Sequence, residues 1–145
     1  MKDIMLKILG NQLLPDGSGE THPEGMEFIT EGRFYNKGSS MYLIYDESQF
    51  SGMEGCTTSL KVTGDKVKMR RFGDDIGFDT TIEFEKGKRF GGWYDTPYGS
   101  IEMEVLTDDV RNGLVPDGEG SLEVDYHVSL KGVTESRSRL SIQII

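Results

Sequence analysis

Leu122, Val124, Tyr126, Val128 and Leu130 alternate with Glu123, Asp125, His127, Ser129 and Lys131. Residues two apart share one face of a strand, so this segment has one apolar face and one polar face. The same period recurs along the chain. Ile4, Leu6 and Ile8 share a face, as do Met41, Leu43 and Tyr45, then Ile101, Met103 and Val105, and finally Leu140, Ile142 and Ile144. A helix would scatter each of these sets around its axis. Composition agrees, because the 145 residues include no alanine and nineteen glycines. The best helix former is missing and one of the worst is abundant, which excludes a helical bundle.

Strands are expected at Lys2–Gln12, Glu27–Asn36, Ser40–Ser48, Cys56–Thr63, Lys66–Phe72, Phe78–Phe84, Lys88–Asp95 and Ser100–Thr107, followed by the two strands through Tyr126 and Ile142. Gly64-Asp65 reads as a two-residue hairpin turn, with glycine supplying positive φ at its first position. Thr96-Pro97-Tyr98-Gly99 is a second turn, and Asp108 to Gly120 reads as a polar loop. About ten short strands joined by tight turns imply an all-β chain. The expected fold is an antiparallel up-and-down β-barrel of about 8–10 strands, forming a single domain over residues 1–145.

Sixteen Lys+Arg against 25 Asp+Glu give a net charge of −9. Nucleic acid and anionic membrane both need a cationic face, so neither is expected as a partner. The single cysteine, Cys56, has no internal disulfide partner, which favours a reducing cytoplasm. Lys2, Asp3 and Lys7 break up the first apolar run, so no signal peptide is read there. A monomer or a homodimer is expected.

The residues that could carry chemistry are few. His22 lies in a turn-rich segment and His127 on the polar face of its strand, with no cysteine or second histidine at metal spacing. No metal and no cofactor are expected. No nucleophile elbow or phosphate loop is present, and Cys56 reads as a small buried apolar residue. No catalytic residue is assigned, and the chain is not read as an enzyme. Leu13-Leu14-Pro15-Asp16-Gly17-Ser18-Gly19 echoes Leu114-Val115-Pro116-Asp117-Gly118-Glu119-Gly120. These read as two Pro-Asp-Gly turns, since neither carries the ordered series of oxygens a calcium loop needs.

One charge sits on an apolar face. Val67 and Met69 point inward, so Arg71 does too, while Lys68 and Arg70 face water. The parity of Met41, Leu43 and Tyr45 puts Glu47 on their side; the opposite parity would bring in Asp46. An inward arginine needs a partner. Either Arg71 and Glu47 pair to close one barrel end, or Arg71 receives a carboxylate or phosphate from a ligand. Tyr45, Tyr94 and Tyr126 could line the same space. Gly91 and Gly92 leave room on both faces of their strand, for a bend or for a ligand.

Several short motifs together resemble a known family. They are Thr30-Glu31-Gly32, Tyr45-Asp46-Glu47-Ser48, Thr57-Thr58-Ser59-Leu60-Lys61-Val62, Arg71-Phe72-Gly73, Tyr94-Asp95-Thr96-Pro97-Tyr98-Gly99, Tyr126 and Ser141-Ile142-Gln143-Ile144. In this order they resemble the YwiB-like family of uncharacterised bacterial proteins, similar in fold to calycin and lipocalin-like barrels. The resemblance implies a cytoplasmic bacterial barrel and transfers no catalytic residue. The expected function is binding of one small amphipathic or anionic ligand inside the barrel, through Arg71, Glu47, Tyr45, Tyr94 and Tyr126. The alternative is an interaction or structural module acting through its acidic surface and loops.

Overall fold

The computed structural model describes residues 2–12, 26–46, 55–73, 78–96, 99–130 and 134–145. They form ten strands: β1 Lys2–Gln12, β2 Met26–Lys37, β3 Ser40–Asp46, β4 Thr57–Thr63, β5 Lys66–Gly73, β6 Phe78–Glu85, β7 Arg89–Thr96, β8 Gly99–Asn112, β9 Gly120–Leu130 and β10 Thr134–Ile144. All pair antiparallel in one sheet, ordered β6-β5-β4-β3-β2-β1-β10-β9-β8-β7. Sequence neighbours pair throughout, with one exception. The first and last strands join, Ile8 opposite Ile142, and the sheet ends at β6 and β7, which are consecutive in the chain. β6 lies against β7 and β8, so the barrel is nearly closed. The turn between β6 and β7 helps close it, with Gly87 N donating to Thr107 O (2.9 Å) and Thr107 N to Lys88 O (3.2 Å).

The alternating apolar faces meet inside. Leu6, Leu43, Leu60, Val62, Val67, Phe84, Met103, Val105, Leu122, Val124 and Ile142 are almost fully buried. Leu122, Val124, Leu140 and Ile142 occupy the core as their period requires, while Tyr126, Val128 and Ile144 pack on it partly exposed. Cys56 is buried, as expected of a small apolar residue. Gly64 adopts φ 59° in the two-residue turn, and Thr63 pairs with Lys66 across it.

The polar segment after Thr107 departs from its reading as a loop. β8 continues to Asn112, and the register shifts between Thr107 and Asp109. This bulge inserts Asp108 and moves the inward parity from Thr107 to Val110, which breaks the alternation in the sequence while the ladder goes on.

One end of the barrel is capped. Val115 pairs with Glu119 across Pro116-Asp117-Gly118, and Gly118 at φ 84° donates its N–H to Val115 O (3.0 Å). Three side chains hold this region to other walls. Lys2 Nζ donates to Asp117 O and Asn36 Nδ2 to Pro116 O, each at 2.8 Å, and Asn112 Nδ2 reaches Gly64 O at 2.8 Å. Leu114 enters the core. This segment is thus a turn that closes the barrel; its echo at residues 13–19 lies outside the described residues.

Candidate functional site

Arg71 lies near the end of β5 away from the cap. Counting back from the two-residue turn puts Thr58 directly opposite it, and the register then runs without a break from Gly32 to Tyr45, Thr58, Arg71 and Thr80. All five are on the inward parity of their strands. Tyr45, Thr58 and Thr80 are buried, and Arg71 is partly buried. Arg71 Nε donates a long hydrogen bond to Thr58 Oγ1 (3.4 Å).

A second row crosses β8–β10. Tyr126 stands opposite Thr107 on one side and Ser138 on the other. Its ring lies 4.9 Å from that of Phe84, tilted by 53°. Burial pushes the Tyr126 phenol above its ordinary value, and the nearby Arg71 charge and a hydrogen bond with Ser138 act in the opposite direction. The Arg71 charge is felt at Tyr126, so the two rows face the same interior. Thr80 Oγ1 and Thr107 Oγ1 are buried without a hydrogen-bond partner among the described residues.

Exposure of the inward residues changes along the barrel. Toward the cap, Phe34, Val62, Val67, Leu122 and Ile142 are sealed. Toward the Arg71 end, Phe28, Thr30, Ile101, Val128, Leu130, Ser136 and Ser138 are partly exposed although they keep the inward parity. The inward side chains of that half are mostly apolar, with a guanidinium, a phenol and several hydroxyls among them.

Of the residues expected at the site, Arg71, Tyr45 and Tyr126 come together here. Glu47 lies outside the described residues, as does the side chain of Tyr94, whose backbone pairs with Ile101. Asp46 is exposed on the outer face and accepts a bond from Thr57 Oγ1 (2.9 Å). Gly92 leaves little room inside, because a Cβ there would meet the Phe90 ring at 3.0 Å; Gly91 is open. Thr58, Thr80, Thr107 and Ser138 were not foreseen. Thr58 could have been found from the turn register; the others depend on pairings that no tight turn specifies.

His127 keeps its outward parity, but it is not simply solvated. Its Nδ1 lies 2.9 Å from Asp108 Oδ2, with Arg137 Nε 3.7 Å from the same oxygen. The bulge that inserts Asp108 brings the carboxylate there. His22 lies outside the described residues.

A family model described as Domain of unknown function (DUF1934) matches residues 14–142. The chain belongs to the DUF1934 family. The fold is also that of a solved relative, the crystal structure of the ywiB protein from Bacillus subtilis. It aligns over 99% of this chain and 93% of that one, with a TM-score of 0.67 and 18% identity. At that identity the likeness shows the YwiB-like barrel and no more. No curated protein matches the DUF1934 chain. Among its described residues no helix is long and apolar enough to cross a membrane.

Proposed function

We propose that the barrel binds one small amphipathic anion in the Arg71 half of its interior, as a non-catalytic, calycin-like carrier or sensor of the bacterial cytoplasm. The observation that carries this reading is the exposure gradient. Phe34, Val62, Val67, Leu122 and Ile142 are sealed toward the capped end, where Met41 and Ile144 are partly exposed, and more of the inward side chains are partly exposed toward the end that holds Arg71. An arginine fork on an apolar wall matches a carboxylate or phosphate head with its tail laid along the apolar side chains. Thr80 and Thr107 add hydroxyls with bonding capacity left over. The described groups around Arg71 support a binding role rather than catalysis. Thr58 and Tyr126 present hydroxyls there and burial favours the proton on Tyr126, so among the described residues no base is seen beside a nucleophile. The net charge of −9 slows the approach of anions and keeps affinity modest.

A thermal-shift screen of fatty acids and phosphorylated metabolites at low salt tests the reading. A ligand at about a hundred times its Kd stabilises the fold by about 2.7 kcal/mol, a clear rise in Tm. The parent should respond and a folded Arg71→Met variant should not. Native mass spectrometry should show one ligand per chain. A response that survives in Arg71→Met, or none in either ligand class, overturns the reading.

A further inference from the structure

A groove of about 920 Å³ runs along β1–β3 beside the cap. The backbone row Ile4-Gly32-Tyr45 lies along it, and Met5, Ile44, Ile144 and Ile145 give it apolar surface. Met5 is 39% exposed and Ile145 58%, among the most exposed large apolar residues of the chain. Four carboxylates, Asp3, Glu31, Asp46 and Glu119, share the lining with two cations, Lys2 and Arg33. The Lys2 ammonium is engaged by Asp117 O. Elsewhere on the barrel the carboxylates of Asp79, Glu104, Glu123 and Asp125 are matched by arginines, whereas Asp3, Glu31 and Glu119 form no ion pair among the described residues.

We propose that this groove is a docking site for an extended basic segment of a partner polypeptide. Its lysine or arginine side chains meet Asp3, Glu31 and Glu119, and its apolar side chains cover Met5 and Ile145. Charge selects this occupant. A second copy of the chain brings another net charge of −9 to a rim that is already acidic, and a nucleic acid brings a phosphate backbone. A small polyamine satisfies the carboxylates but leaves the apolar surface in water. A groove crossing three strands suits an extended chain that alternates basic and apolar side chains. Arg71 is not part of the groove.

The test is an NMR titration of the isotopically labelled full chain with an octapeptide of alternating lysine and leucine. Backbone shifts should be confined to residues 2–5, 31–33, 44–46, 118–119 and 144–145. Glu31→Lys should weaken binding about fivefold or more, as should Asp3→Lys, whereas Glu85→Lys, at an exposed position on β6, should not. Arg71→Met should bind the peptide like the parent. Shifts spread over the whole acidic surface, equal losses in Glu85→Lys and Glu31→Lys, or spermine binding as tightly as the peptide would overturn the proposal. So would a dimer in sedimentation that Glu31→Lys abolishes, because the occupant would then be a second copy.

Discussion

Asp125 faces outward on β9 yet is only 6% exposed, because two arginines cover it. Arg139 Nε donates to Oδ1 at 2.7 Å, and Arg111 reaches Oδ2 at 3.3 Å. Burial alone would raise the Asp125 carboxyl, but the hydrogen bonds and charges of Arg139 and Arg111 outweigh it and hold the group below the usual 3.8. A depressed carboxylate adds stability above its ordinary pKa and loses it as pH falls through the lower folded value. Asp125→Asn should therefore cost about 1–2 kcal/mol at neutral pH. That is less than a fully buried pair would cost, because both arginines keep contact with water. Urea unfolding of variant and parent should show this gap near pH 7 and show it closing below about pH 3.8. A gap unchanged at low pH would mean that the carboxylate charge is not what matters there.

Two strand glycines make opposite demands on their elements. On β2, a Cβ at Gly32 would lie 2.8 Å from Leu6 Cδ1 and 2.9 Å from Ile44 O, so both a core side chain and the backbone of β3 block it. On β7, nothing lies within 4 Å of the same position at Gly91. Neither glycine has positive φ, so the contrast is one of space rather than dihedral preference. Gly32→Ala should destabilise by about 1–3 kcal/mol, the usual cost of overpacking a core. Gly91→Ala should be neutral or stabilising by up to about 1 kcal/mol, through reduced freedom of the unfolded chain. Thermal unfolding of the two variants side by side checks this, and equal losses would show that the close approach at Gly32 is not limiting.

The ladder as a whole is continuous where the chain's two ends meet and interrupted between two consecutive strands. β1 and β10 are each paired on both sides, whereas β6 and β7 each have a partner on one side only. Local opening needs fewer broken bonds at such an edge. Hydrogen exchange should therefore be faster along β6 and β7 than along β1 and β10. Protection of β6 and β7 equal to that of β1 would mean that the seam is sealed in solution.

Much of this protein was legible from period two alone. Alternation placed Ile4, Leu6, Leu43, Val67, Leu122, Val124 and Ile142 inside, and it turned Arg71 inward and His127 outward, because on a strand the facing of a side chain is a local property. The Gly64-Asp65 turn also set the pairing of Thr58 with Arg71, since a two-residue turn leaves one register. Three features were decided by the tertiary structure. The bulge at Asp108 hid the end of β8, because the inserted residue reverses the parity that marks a strand. The pairing of β1 with β10, and with it the seam at β6 and β7, depends on how far the sheet curves before its ends meet. That Arg71 and Tyr126 face the same interior depends on that same closure, which brings together strands distant in the chain. Facing is written residue by residue, whereas stagger and closure belong to the sheet as a whole.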